Sequence, residues 1–140
     1  MNEISEFQGK YRWLSNFWSC MVEYEGLRFA SSEAAYQAAK CANDFDKLQF
    51  IGIEPGASKR LGRHINIRHD WEKVKIHVMT DIVRAKFKQN DDLRKLLIDT
   101  GDAKLVEGNT WNDTFWGVCN GIGRNELGKI LMKVRQEETK

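Results

Sequence analysis

At 140 residues, 41% hydrophobic and 30% charged with a single proline, the chain is sized for one folded domain with a real core, which excludes a disordered or collagen-like polymer. A formal charge of +2 speaks against a general polyanion binder, although a local basic pocket can still hold one phosphate. No apolar run approaches the roughly 20 residues of a membrane span, and the stretch 1–8 carries acids and no apolar h-region, so it does not read as a signal peptide.

Ile4 to Phe7 reads as a short strand. Met21–Tyr24 and Leu27–Ala30 flank Glu25-Gly26, the pattern of a tight hairpin in which the glycine supplies a positive φ. Ser31 or Ser32 then caps a first helix running from Ser32 to about Cys41. A second short helix falls near Asp44 to Phe50, and Pro55 suits the first turn of a third that ends at Gly62. Asp70 is placed to cap the longest helix, Trp71 to about Lys88. Val74, Val78, Ile82 and Ala85 recur there at helical spacing, widened by Met79, Val83 and Phe87. Asp91 to Thr100 forms another helix closed by Gly101, Lys104 to Glu107 suits an edge strand, and a last helix spans about Asn125 to Gln136 with Leu127, Ile130, Leu131 and Val134 inward. The order predicts an α+β fold: one helix-rich domain, residues 1–140, with a small antiparallel sheet and no regular βαβ alternation.

Cys20, Cys41 and Cys119 are odd in number and far apart, which fits buried or bystander thiols in a reducing, cytoplasmic setting. None stands at ligand spacing from His64, His69 or His77, so no metal is expected.

On the first helix, Glu33, Gln37 and Lys40 fall within about 60° of one another with Tyr36 alongside, while Ala34, Ala35, Ala38 and Ala39 take the opposite side. One reading is an exposed polar face on a helix rich in its best former, with Glu33 complementing the helix dipole. The other is the wall of a pocket. There, Glu33 is a general acid or base and a desolvated Lys40 is a nucleophile toward a sugar C1.

Three further clusters carry chemistry. Tyr11–Trp18 sets aromatics around Arg12, Ser15 and Asn16, which suits a flat base beside a phosphate or, equally, a hydrophobic loop. Ser58-Lys-Arg-Leu-Gly-Arg63 ends a helix with three cations, for a phosphate or for the helix dipole. Trp111–Gly117 encloses Asp113 between tryptophans, where apolar surroundings tend to perturb a carboxyl. The glycines from Gly121 to Gly128 precede a helix N-terminus, a natural anion site but no Rossmann fingerprint.

Taken together, Trp13–Trp18, Tyr24–Phe29, Ser32–Lys40, Lys59–Arg63, Asp70-Trp71, Lys86–Asn90, Leu96–Gly101, Asp113–Gly117 and Gly123–Lys129 resemble the NADAR (YbiA-like) family, in its order and over nearly the whole chain. The resemblance implies an α+β N-glycosidase fold without a cofactor, and the chain is expected to be the minimal domain. It also implies hydrolysis of the C1–N bond of a ribosylated nitrogen heterocycle. That substrate is either ADP-ribose on guanine, free or in nucleic acid, or a phosphoribosylamino-pyrimidine of riboflavin synthesis. Glu33 and Lys40 match the family's glutamate and helix lysine; Arg12, Asn16 and Phe17 match its first pocket loop; Asp113 and Trp116 match its late motif; and Asn125 and Gly128 match its terminal loop. The implied catalytic set is Glu33, Lys40 and Asp113, with Lys40 either attacking C1 to give a Schiff base with opened ribose or holding a phosphate. On the substrate side, Arg12, Arg63 and the Gly123–Asn125 turn hold phosphate, Gln37 lines the pocket, and Trp18, Trp71 or Trp116 stacks on the base. The rival class is a non-catalytic module that binds ADP-ribose or a related nucleotide. A general nucleic-acid binder would need a basic stripe that the charge balance does not supply.

Overall fold

A computed structural model describes residues 2–140; Met1, the first residue of the stretch weighed as a signal peptide, lies outside the described residues. In chain order the elements are β1 (Glu3–Ile4), a 3-10 turn (Gly9–Leu14), β2 (Val22–Tyr24), β3 (Leu27–Phe29), α1 (Ser32–Ala39), α2 (Asp44–Lys47) and a second 3-10 turn (Leu48–Phe50). They continue with α3 (Pro55–Leu61), α4 (Trp71–Gln89), α5 (Asp91–Asp99), β4 (Lys104–Leu105), β5 (Gly108–Asn109), β6 (Val118–Cys119) and α6 (Glu126–Glu138). The fold is α+β and helix-rich, as its periodicities predict. They fall into two compact units, Asn16–Asp91 and the N-terminal stretch to Ser15 with Asp92–Lys140.

In the Asn16–Asp91 unit, β2 and β3 pair antiparallel with Val22 opposite Phe29 and Tyr24 opposite Leu27. Glu25 (φ 51°) and Gly26 (φ 82°) both adopt left-handed backbone, the two-residue type I′ turn that matches strand twist. The hairpin is tied to the end of α4 by the Gln89 side-chain amide, which accepts from Glu23 N–H at 2.7 Å and donates to the Glu23 carbonyl at 2.9 Å. Asn90 Nδ2 adds a bond to the Met21 carbonyl at 3.0 Å. The inward stripe of α4 is buried at Val78, Met79, Ile82, Val83 and Phe87. Asp70 does stand at the start of α4, but its carboxylate makes no capping bond. It is held instead by the fork of Arg68, Nε to Oδ1 at 2.6 Å and Nη2 to Oδ2 at 2.9 Å.

α1 is buried from end to end, every residue from Ser32 to Ala39. Its cap is Ser31, whose Oγ accepts from Ala34 N–H at 3.1 Å. Such a helix cannot be a solvated face, so its polar row must be matched by polar partners or by a ligand.

In the other unit, β1 runs parallel to β4, with Ile4 opposite Leu105, and β5 runs parallel to β6. These two-residue ladders come in addition to the expected hairpin and are too short to leave an alternating pattern. Leu127, Ile130, Leu131 and Val134 of α6 are buried as their spacing predicts. Arg135 joins them, with Nη1 donating to Thr100 Oγ1 at 2.9 Å and to the Ala103 carbonyl at 2.8 Å.

Candidate active site

The polar row on α1 is set by its two ends. At the N-terminus Glu33 N–H donates to the Asn16 carbonyl at 3.0 Å, so the loop after the first 3-10 turn lies across the helix start. At the C-terminus the Lys40 carbonyl accepts from Arg68 N–H at 2.8 Å, and Ala42 N–H donates to Asn66 at 2.9 Å. The backbone on either side of the row is therefore anchored.

Between these anchors Glu33 is 8% exposed and Gln37 4%, which removes the exposed-face reading. Gln37 Nε2 donates to Glu33 Oε2 at 2.6 Å, a short charge-assisted bond. Lys40 is half-buried, with Nζ 5.5 Å from the Tyr36 ring centre. Lost hydration is the main cause that pushes its ammonium below the ordinary lysine value; the Glu33 carboxylate pushes back, and the cations Lys59, Lys75 and Arg63 lower it further. An amine that yields its proton more readily, a buried carboxylate and three surrounding cations suit an anionic electrophile.

The aromatic neighbours divide into supports and open surfaces. Trp71 is buried and packs on Tyr36, ring centres 5.2 Å apart at 57°, so it buttresses the ring under Lys40. Phe17 is 44% exposed, with Lys59 Nζ 5.9 Å above its ring, and Trp18 is half-buried. Asn16 is buried and directs its amide to Met79 Sδ at 3.4 Å. Arg63 is exposed just past the end of α3. On the reverse of α1, Ala35, Ala38 and Ala39 line a separate cavity of about 640 Å³ with Tyr24, Phe29, Phe45 and Leu48. The alanines thus leave room behind the helix as well as allowing close packing.

The remaining expected residues belong to the other unit. Arg12 is exposed on the 3-10 turn. Asp113 Oδ1 accepts from Phe115 N–H at 3.1 Å and Trp116 N–H at 2.9 Å, and Asn109 clasps the same loop through Asp113 N–H and C=O. Trp116 meets Phe115 edge-on at 4.8 Å. Asn125, left-handed at φ 53°, donates to the Leu105 carbonyl at 2.9 Å and accepts from Glu107 N–H at 3.0 Å. Gly128 admits the Leu105 carbonyl where a Cβ would collide.

Around the Gly123–Asn125 turn and the start of α6, the N–H groups of Arg124, Asn125, Glu126 and Leu127 donate to the carbonyls of Thr114, Gly117, Phe115 and Trp116. Donors already bonded to backbone carbonyls are not open to phosphate, so this turn docks the 114–117 segment.

Sequence reasoning missed Lys75, although its spacing of four from Trp71 puts both on one face of α4. It also passed over Lys86, which is fully buried with its ammonium pushed down to about 8 by burial. Four residues after Ile82 it lies on the apolar stripe, and a charge there was the available signal.

The NADAR domain family model matches residues 4–137. The chain is 39% identical to the N-glycosidase YbiA of Shigella boydii, over 88% of this chain and 79% of that protein. It is 37% identical to an N-glycosidase of Nostoc punctiforme, over 91% and 85%. It is also 42% identical to a riboflavin biosynthesis protein of Vibrio vulnificus, of whose length it spans only 35%. The solution structure of Escherichia coli YbiA superposes with a TM-score of 0.86 at 34% identity, covering 98% of this chain and 83% of that one. The chain belongs to the NADAR family.

Proposed function

We propose that the chain is an N-glycosidase that hydrolyses the C1–N bond of a ribosylated nitrogen heterocycle bearing phosphate. The observation that carries this reading is the juxtaposition on α1 of a buried carboxylate, Glu33, and a half-buried amine, Lys40, with Lys59, Arg63 and Lys75 acting on that amine. The names of its relatives, N-glycosidases and a riboflavin biosynthesis protein, support the reaction class.

In this mechanism the neutral Lys40 amine attacks C1 as the bond from C1 to the base breaks. Glu33 takes the proton released from Nζ and passes it to the departing nitrogen. The bond from C1 to the ring oxygen then breaks, the remaining Nζ proton passes to that oxygen, and an imine is left between Nζ and C1. Water then adds to the imine carbon, the C1–Nζ bond breaks, and the ribosyl product leaves with the amine restored. Arg63, Lys59 and Lys75 hold the substrate phosphate, and Phe17 and Trp18 offer ring surface to the leaving base.

Two substrates, offered side by side, decide the branch: ADP-ribosylated guanine in DNA and a phosphoribosylamino-pyrimidine. Release of free base from one of them is expected. In Glu33→Gln that turnover falls by about 10²–10⁴-fold with the fold intact by circular dichroism. Near-normal turnover in the variant contradicts the assignment, and binding of ADP-ribose without any turnover by the wild type identifies a non-catalytic module.

A further inference from the structure

Gln37 is nine-tenths buried on all sides, yet its two amide atoms are treated unequally. Nε2 donates to Glu33 Oε2 at 2.6 Å, whereas Oε1 is buried and makes no hydrogen bond. That oxygen lies against Gly62, at the place where a Cβ on that residue would stand. Gly62 has ordinary right-handed helical backbone, φ −60° and ψ −15°, so no turn demands a glycine there. The missing side chain is what the Gln37 amide requires.

We infer that Gln37, seated against Gly62, is a positioning residue that holds Glu33 in its ionised, proton-accepting form. Turning the amide over would bring Oε1 to 2.6 Å from a carboxylate oxygen, two acceptors face to face. With Glu33 ionised only the observed orientation is tolerated, and a donated N–H favours the charged carboxylate. An unpaired buried carbonyl is costly, and it persists here because the other half of the amide satisfies a buried charge. Lys40 on α1 interacts with the Glu33 carboxylate, and Lys59 and Arg63, on and after α3, together with Lys75 on α4, act on Lys40 in turn. Glu25, Asp44 and Lys47 lie on the opposite side of α1, around the alanine-lined cavity.

The inference rests on Glu33 acting as the base, and the test separates the two ideas. The Glu33 carboxyl is titrated by carbon NMR in the full-length protein, its resonance assigned by loss in Glu33→Gln. In Gln37→Met, similar in shape but without the donor, the midpoint rises by about one pH unit. Gly62→Ala keeps every polar group yet drives the amide off its seat, so it raises the midpoint too, and the double variant goes no further than Gln37→Met alone. A folded Gln37→Met or Gly62→Ala with an unmoved midpoint overturns the inference, as does full additivity in the double variant. The lower-pH break of the acid limb of kcat/KM, where the Glu33 carboxyl titrates below the Lys40 midpoint, is read in parallel. If the NMR midpoint moves and the limb does not, Gln37 does hold Glu33 ionised and it is the catalytic role of Glu33 that fails.

Discussion

At Lys40 opposing effects meet, and their balance sets the chemistry. Partial burial disfavours the ammonium most strongly, Glu33 favours it, and Lys59, Lys75 and Arg63 disfavour it again. The free amine, the only form that attacks carbon, therefore becomes abundant at a lower pH than for an ordinary lysine. The rate is accordingly predicted to rise with pH through a midpoint below the usual 10.5. Removing the neighbouring cation in Lys75→Met should move that midpoint upward, which a pH–rate profile reads directly; a downward move contradicts the electrostatic account. Lys40→Arg retains the charge without a nucleophile, so turnover should vanish while substrate affinity changes only a few-fold. Calorimetry and single-turnover kinetics separate the two effects, and retained turnover would assign the site a purely electrostatic lysine.

At the scale of elements, the two helix starts make a contrasting pair. Ser31 caps α1 with a buried hydroxyl 3.1 Å from Ala34 N–H, so Ser31→Ala is expected to destabilise by about 1–2 kcal/mol. Asp70 stands where a cap belongs but grips Arg68 instead, in a pair about one-third exposed. Solvent screening makes Asp70→Ala the smaller loss of the two. Denaturant unfolding of both variants checks the order, and a larger loss at Asp70 contradicts it. The same contrast shows what sequence can carry. A serine before α1 and an aspartate before α4 look alike as letters, and only the position of Arg68 decides that one of them is a cap. The apolar stripes of α4 and α6 were legible because their period repeats over several turns. The parallel pairs β1–β4 and β5–β6 were not, since two residues hold no period and their partners are remote in the chain. On α1 the candidate site residues were legible but their burial was not, because a polar row on an isolated helix resembles surface. Gly62 likewise read as a helix stop, whereas its lack of a Cβ accommodates the Gln37 amide.

For the whole molecule, a net charge of +2 conceals how unevenly the charge is placed. One cation, Lys86, is fully buried with its ammonium pushed down to about 8 by burial, so the folded protein releases this proton well before the unfolded chain does. Between about 8 and the ordinary 10.5 the unfolded chain binds more protons, and stability contributed by this group therefore rises as pH rises. Relative to Lys86→Met, which cancels the titration of all other groups, the wild type is predicted to gain at most about 3 kcal/mol between pH 7.5 and 10. A gap that stays flat or widens against the wild type over that range contradicts the burial of a chargeable lysine. No helix among the described residues is long and apolar enough to cross a membrane. The NADAR match runs from residue 4 to residue 137 and so takes in residues of both units.

The central claim is that Lys40 makes a transient covalent bond to the sugar. Turnover of the cleaved substrate in the presence of borohydride measures this directly, followed by mass spectrometry of the intact protein and its peptides. The account predicts one reduced ribosyl adduct per chain, carried by the peptide containing Lys40 and absent from Lys40→Arg. Undiminished turnover with no adduct on the wild type, or an adduct on another lysine, would contradict it.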